Sequence, residues 1–392
     1  MAPSTPENSA TSPPNTYYFD SACQTLRPQS VIDAEMRYYH TYNACGGRVK
    51  YPWGVKVDQE VKEVRQKLLH FAGKSVKDYE VVFTLNTSYG INLILHQLPA
   101  SDVQRIVTSD IEHNSVFLPT ITWGKRHGKE RTVLSRTDDG SLEYAEADLD
   151  RAVVLLNTTS NIDGRTLGNA NELADAVHRK SGLLLLDAAQ TFGHDPGMLR
   201  DVDFDAAFGS GHKMYAPSMG FVIIKKALLR RLDISFIGGG TVQDVRGDSF
   251  DLVASEDELF ARVEPGLQNW AGIIGLGAAI DWLERDSEGA QRERMLGKYL
   301  FEALQDIPRI TVINQSTSPI LSFYVDGLDA HRLALYLGEQ HIMCRSGYFC
   351  CHYYLDHLKK YPPLLRVSLG RYNTQEQVDH FLTTLTAILH TL

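Results

Sequence analysis

Short, continuous apolar runs recur along this chain, spaced so that one helix fits between many successive runs. VVFTL (81–85), RIVTS (105–109), AVVLL (152–156), LLLLD (183–187), DAAFG (205–209) and GFVIIK (220–225) are such runs. A strand buried on both faces has no polar side to alternate with, so it reads as an unbroken apolar stretch. Helical patterns lie near 57–71, 88–97, 114–124 and 170–180. The alternation predicts an α/β fold, with a mostly parallel sheet covered on both faces.

In such sheets ligands sit beyond the carboxyl ends of the strands. The polar clusters of this chain fall there: NTSYG (86–90), EHN (112–114), NTTSNIDG (157–164), DAAQ (187–190) and SGHK (210–213). After GLQNWAGIIGLGAAIDWLE (266–284), read as a helix, the pattern changes. A helix near 290–305, strands near 309–325, the segment HIMCRSG (341–347) and a last amphipathic helix at 374–391 predict a smaller α+β domain. The expected division is a leader (1–16), an N-terminal segment bordering the small domain and the site (17–55), a large domain (56–287) and a small C-terminal domain (288–392).

The net charge is -9 and no long Lys/Arg run occurs, which argues against nucleic acid or an anionic membrane as the main partner. No apolar run approaches the roughly 20 residues a membrane helix needs. Residues 1–16 are rich in Pro, Ser, Thr and Asn and lack an apolar core, so they read as a disordered leader and not a signal peptide. Five cysteines, Cys23, Cys45, Cys344, Cys350 and Cys351, resemble no disulfide framework, and free thiols in a reducing cytoplasm are expected. No metal site is expected.

Lys213 stands among small and hydroxyl-bearing residues in GSGHKMYAPSMG (209–220). Burial in such a setting lowers an amine's pKa and frees it as a nucleophile, although a surface lysine is the plainer reading of the loop alone. Asp187 ends the run LLLLD, where an unpaired charge is costly. It is either the cap of the next helix or the partner of a cation. A protonated pyridine nitrogen of pyridoxal phosphate (PLP) is the obvious cation once a reactive lysine follows one β-α-β step later.

DAAQ followed by SGHK resembles the pattern of class V aminotransferases of PLP fold type I. NTSYGINL (86–93), IEHNS (111–115), TSNIDG (159–164), GGGT (238–241), EPGLQN (264–269), CRSGYFC (344–350) and RVSLGRYNT (366–374) narrow the resemblance to the group II cysteine desulfurase and selenocysteine lyase branch. It runs from about Phe19 to the C-terminus. The resemblance implies a large domain with a mostly parallel seven-stranded sheet between helices, plus the smaller α+β domain. It also implies that Lys213 forms the internal aldimine with PLP and carries protons at the substrate Cα. Asp187 then keeps the pyridinium protonated, and Asn161 and Gln190 hydrogen-bond the phenolic oxygen. His113 stacks on the ring and acts as acid or base.

For the phosphate, the resemblance implies Thr87 and Ser88 at the start of a helix, together with Ser210 and His212; free N–H groups at a helix start suit an anion, and N-capping is the structural role of the same residues. Thr241 in GGGT matches a residue that reaches the phosphate from a second subunit, which implies a homodimer with composite active sites. Arg366 matches the arginine that binds the substrate α-carboxylate, a task suited to its bidentate fork. Arg345 lies near the thiol segment and assists there. Cys350, five residues after Arg345, matches the cysteine that takes the substrate sulfur as a persulfide and passes it to an acceptor protein or small molecule.

Two features depart from the branch. Tyr348 and Phe349 stand where two histidines are usual, and a second thiol, Cys351, follows Cys350. RSGYFC and the FDSACQT start (19–25) are closer to the sulfurase domain of molybdenum-cofactor sulfurases. The loop YNACGGRVKYPWG (42–54) also differs, and its Cys45 and Arg48 are either substrate contacts or plain loop residues. The resulting expectation is a PLP-dependent desulfurase acting on L-cysteine and yielding L-alanine. A C–S lyase, selenocysteine lyase, epimerase or aminotransferase on the same scaffold, and a catalytically idle sulfur-transfer scaffold, are the alternatives.

Overall fold

The computed structural model describes residues 15–47, 49–286 and 288–391. The leader expected over 1–16 lies almost wholly outside the described residues, as do Arg48 and Ser287, the latter at the expected domain boundary.

Among the described residues fifteen strands occur in chain order. These are β1 (Tyr17–Tyr18), β2 (Tyr79–Thr84), β3 (Arg105–Ser109), β4 (Glu130–Leu134), β5 (Ala152–Asn157), β6 (Leu183–Asp187), β7 (Ala206–Ser210), β8 (Gly220–Lys225), β9 (Val242–Arg246) and β10 (Ser249–Leu252). They continue with β11 (Ile310–Val312), β12 (Ile320–Val325), β13 (Ile342–Met343), β14 (Arg345–Gly347) and β15 (Leu364–Ser368). The α-helices are α1 (Gln29–Thr41), α2 (Pro52–Phe71), α3 (Thr87–Gln97), α4 (Asn114–His127), α5 (Ala170–Arg179), α6 (Thr191–His194), α7 (Lys226–Arg231), α8 (Trp270–Arg285), α9 (Gly289–Gln305), α10 (Ala330–Glu339) and α11 (Gln375–Thr391). None of the described helices is long and apolar enough to cross a membrane.

Seven strands form the large sheet in the order β2-β8-β7-β6-β5-β3-β4, with β8 antiparallel to both neighbours and the other pairings parallel. The apolar runs are buried on both faces, as their pattern predicts. Along β5, Val154 and Leu156 enter one core while Val153 and Leu155 enter the other. β6 divides Leu184 and Leu186 from Leu183 and Leu185 in the same way. The cause is the two-residue period of a strand, which sends neighbours to opposite faces. Each fully buried leucine is worth roughly 1.5–3 kcal/mol relative to exposure.

β4 was not anticipated from the sequence. ERTVL opens with two charged residues, and as an edge strand it is only half-buried, so it carries no continuous apolar run. Helix α8 begins four residues later than GLQN suggested, because the Asn269 side chain accepts from the Gly272 N–H at 3.1 Å and caps the helix there.

The smaller sheet is antiparallel throughout, in the order β11-β12-β15-β14. Its core gathers Leu300, Phe323, Leu365 and Phe381, and Phe19 from the N-terminal segment joins it. β1 pairs with β13 in parallel, and Asp20 bridges to Ser368, so residues 17–20 are strapped along this sheet. That strap brings the chain's beginning to the edge of the cleft between the two sheets.

Candidate active site

Five strand ends of the large sheet deliver the polar clusters to one place. β2 leads to Thr87, β3 to His113, β5 to Asn161, β6 ends on Asp187, and β7 ends on Ser210 just before Lys213. Asp187 sits opposite Asn157 in the β5/β6 register and opposite Phe208 in the β6/β7 register. Its carboxylate is buried and accepts from the Ala189 N–H at 3.0 Å. Burial pushes this carboxyl above the usual range, and the Lys213 charge opposes that push.

Burial likewise pushes the Lys213 amine down; Asp187 works against this and Arg366 reinforces it. The amine has no hydrogen-bond partner among the described residues. Its turn packs tightly against the chain after β6: a Cβ on Gly193 would stand 2.2 Å from the Lys213 carbonyl oxygen. Only glycine permits that approach.

His113 starts α4. Its Nδ1 accepts from the Ser115 N–H at 3.1 Å and lies 2.9 Å from Ser115 Oγ, which leaves the ring proton on Nε2. Burial, with the Lys213 and Arg366 charges, lowers this imidazole to about 3, so it is neutral at physiological pH. Ser115 also hydrogen-bonds Ser88, which links the ring to the start of α3.

At that start the cap is Asn86, whose side chain accepts from Tyr89 at 2.8 Å, and not Thr87 or Ser88. The Thr87 hydroxyl donates to the Gly209 carbonyl at 2.8 Å and ties α3 to the end of β7. The backbone N–H groups of Thr87 and Ser88 are left without acceptors among the described residues, as an anion site requires. Ser210 Oγ and His212 Nδ1, close to Lys213 in sequence, are 3.0 Å apart. Burial, followed by the charges of Lys213 and Arg27, lowers His212 to about 4.

Asn161 and Gln190 are both buried, and part of each amide is already in use. Asn161 Nδ2 donates to the Phe349 carbonyl at 2.9 Å, and its Oδ1 accepts from Cys351 Sγ at 3.1 Å. Gln190 Nε2 donates to the Ala22 carbonyl at 2.7 Å, while its Oε1 has no partner. Thr241 is buried within its own loop, its hydroxyl donating to Gly238 at 2.8 Å, and none of its contacts is with the Lys213 cluster.

Arg366, on β15, brings the small sheet to the cleft. It donates to the Asn161 carbonyl at 2.9 Å and to Asp20 at 3.0 Å, while its buried Nε–H has no partner. Arg345, its cross-strand neighbour, pairs with the other Asp20 oxygen at 2.8 Å and donates to Cys23 Sγ at 2.9 Å. Sequence reasoning missed Asp20 and Cys23, although both lie in FDSACQT. It also missed Glu112, whose oxygens accept from Ser109 at 2.6 Å and from the Asn157 N–H at 2.7 Å beneath the site.

Cys350 and Cys351 occupy a sharp turn in which Phe349 and Cys350 both adopt positive φ, 49° and 58°. Cys350 is exposed and its carbonyl accepts from the Asn114 N–H at 2.7 Å; Cys351 is fully buried. Cys45 is exposed, and its thiol donates to the Gly46 carbonyl at 3.0 Å.

The model of the aminotransferase class-V family matches residues 17–381. The chain belongs to this family. A probable cysteine desulfurase of Methanothermobacter thermautotrophicus is 32% identical over 95% of this chain and 94% of its own length. A cysteine desulfurase of Pectobacterium atrosepticum is 30% identical over 95% and 92%. Among solved structures, the cysteine desulfurase of Thermococcus onnurineus superposes with a TM-score of 0.86 at 28% identity, over 96% of this chain and 95% of that one. The Escherichia coli cysteine desulfurase CsdA gives 0.84 at 25% identity, with 96% of each chain covered.

This class-V aminotransferase chain is thus a PLP-dependent enzyme of fold type I. Its own residues fit the cofactor. A desolvated lysine without a hydrogen-bond partner among the described residues lies close enough to the buried Asp187 carboxylate for each to shift the other, and donors for a phosphate stand free at the start of α3.

Proposed function

We propose that the chain is a cysteine desulfurase that converts L-cysteine to L-alanine and leaves the sulfur on Cys350 as a persulfide, for transfer to an acceptor. The supporting observation is the buried Arg366, whose free Nε–H offers a carboxylate anchor close enough to Lys213 for the two charges to interact.

When bound, PLP supplies an electron-withdrawing pyridinium ring that stabilises negative charge at the substrate Cα. Asp187 would favour the protonated ring nitrogen, Lys213 would anchor the cofactor until substrate displaces its amine, and the free N–H groups at Thr87 and Ser88, with Ser210 and His212, would hold the phosphate. His113 would lie against the ring as a neutral imidazole. Asn161 and Gln190 have amide capacity left for the phenolic oxygen.

Arg366, assisted by Arg345, binds the α-carboxylate, and the Lys213 amine moves the proton at Cα. The Cys350 thiolate then bonds to the substrate sulfur as the Cβ–S bond breaks. Cβ keeps the electron pair, takes a proton and becomes the methyl group of alanine. The exposure of Cys350 suits the hand-over of sulfur to an acceptor.

We also infer a homodimer; for Thr241 to reach the partner's phosphate its buried hydroxyl must give up the bond to the Gly238 carbonyl. The exposed Phe236, Ile237 and Leu267 on the same stretch of chain support the dimer. The free state of all five cysteines suits a reducing cytoplasm. We infer a large domain over 56–287 and a small one over 288–392, which the separate cores of the two sheets support; the segment 17–55 divides between them, Phe19 joining the small core and Val31, Tyr38 and Tyr42 the large one.

Incubation of PLP-loaded protein with L-cysteine should yield alanine, with one added sulfur atom on the Cys350 peptide. Lys213→Ala should lose the visible absorbance of the bound cofactor together with turnover; full turnover in that variant refutes the assignment. Cys350→Ser separates a desulfurase, which stops turning over, from a lyase that eliminates sulfur directly and continues.

A further inference from the structure

Arg345 and Arg366 face each other across β14 and β15. Like charges in directly opposed positions destabilise a sheet. Asp20 resolves this conflict from outside the sheet. Its carboxylate accepts from Arg366 Nη2 at 3.0 Å and from Arg345 Nη2 at 2.8 Å, and its backbone is fixed beside β15 by the bridge to Ser368.

The ionisable groups that act most on Arg366 are Asp20, then Arg345 and Cys23; the Lys213 charge, which it also meets, is opposed by that of Asp187. Among Arg345, Arg366 and Asp20, two guanidinium cations against one carboxylate leave a charge of +1. Arg366 itself is only 2% exposed and its Nε–H has no partner. One further carboxylate both neutralises the cluster and satisfies that donor.

We propose that Asp20 is the specificity-determining residue of the carboxylate subsite: it holds Arg345 and Arg366 at one surplus positive charge, which matches an amino acid carrying a single carboxylate. This rests on the reading of Arg366 as the carboxylate anchor. A ligand with a second carboxylate brings one negative charge too many into a partly buried place, and an unpaired charge there is what the site selects against. Without the Asp20 charge the surplus becomes two, and the preference shifts toward dicarboxylic amino acids.

The test titrates PLP-loaded wild type, Asp20→Asn and Asp20→Glu with L-alanine and with L-aspartate, reading binding from the visible band of the cofactor. Asp20→Asn should move the ratio of the two dissociation constants toward aspartate by about 10-fold, or about 1.4 kcal/mol, and Asp20→Glu should stay near wild type. A purely structural role weakens both ligands together, so an unchanged ratio in Asp20→Asn overturns the proposal.

If Asp20→Asn does not retain cofactor, Arg345→Gln decides the matter. It reduces the surplus to zero and should weaken alanine binding by about 10-fold, and unaltered alanine binding overturns the proposal. Both readouts are equilibrium binding. Wild type that binds alanine but forms none from L-cysteine therefore refutes the desulfurase reading alone, and a failed ratio test refutes the role of Asp20 alone.

Discussion

Cys351 Sγ lies 3.1 Å from Asn161 Oδ1, and the other end of the same amide donates to the Phe349 carbonyl. One buried side chain of the large sheet's loops thus clamps the thiol segment at two points. The clamp turns Cys351 inward and leaves its neighbour Cys350 facing outward. Burial pushes the Cys351 thiol well above its ordinary value, which makes it a poor nucleophile and a packing residue.

Iodoacetamide added to the folded protein should therefore modify Cys350 and Cys45 first, and Cys351 only as the chain unfolds. Peptide mass analysis over time checks the order. Cys351→Ala should keep alanine formation and lose about 1–2 kcal/mol of stability for the vacated contact and hydrogen bond. A Cys351→Ala protein that makes no alanine would transfer the reactive role to the inner thiol.

Asp187→Asn keeps an oxygen for the Ala189 N–H and removes the charge. The turn after β6 should survive and cofactor should remain bound. Turnover of L-cysteine should fall about 100- to 1,000-fold, the usual cost of deleting one preorganised electrostatic stabiliser. Steady-state alanine formation measures it.

Burial raises the Glu112 carboxyl to about 7, with Arg136 the main opposing influence. Between its ordinary value of 4.5 and about 7 the folded protein holds a proton that the unfolded chain has released. Stability from this group is thus fully present at lower pH and is lost as pH rises through that window. Glu112→Gln carries no such loss and can serve both Ser109 and the Asn157 N–H. Its advantage over wild type should grow from pH 5 to pH 8 and reach on the order of 2–3 kcal/mol. His113 and His212 titrate alike in both proteins, so they cancel in the comparison. Urea unfolding at about pH 5 and pH 8 reads the difference.

Arg65 and Glu264 form a buried, two-point ion pair at 2.8 and 2.7 Å, and Glu264 also accepts from the Phe83 N–H at 2.6 Å. The guanidinium lies over the Phe260 ring at 3.6 Å. Glu264→Ala should cost about 3–5 kcal/mol by stranding the buried Arg65 charge. The double variant Arg65→Met, Glu264→Leu should recover much of that loss. Chemical denaturation of both proteins tests the pair.

The large sheet was legible because its strands announce themselves: β5, β6 and β8 bury both faces and read as unbroken apolar runs. β4 was not, since an edge strand needs no such run. That Asp187 and Lys213 come to the same rim was legible for a related reason. Both stand at ends of strands, and neighbouring parallel strands bring their carboxyl ends to one rim. Amide roles were less legible. Asn161 and Gln190 were read as cofactor partners, and the fold also employs them to hold Phe349, Cys351 and Ala22.

By itself the sequence determined the layer architecture and the rim on which the polar clusters gather, because these follow from local periodicity and from the place of strand ends in a parallel sheet. Only the tertiary structure decided that Asp20 meets Arg366 across 346 positions, and which of two adjacent cysteines faces inward. Contacts of that kind depend on the strap of residues 17–20 along the small sheet and on the meeting of two separate sheets. Short-range pattern carries no record of such distant pairings.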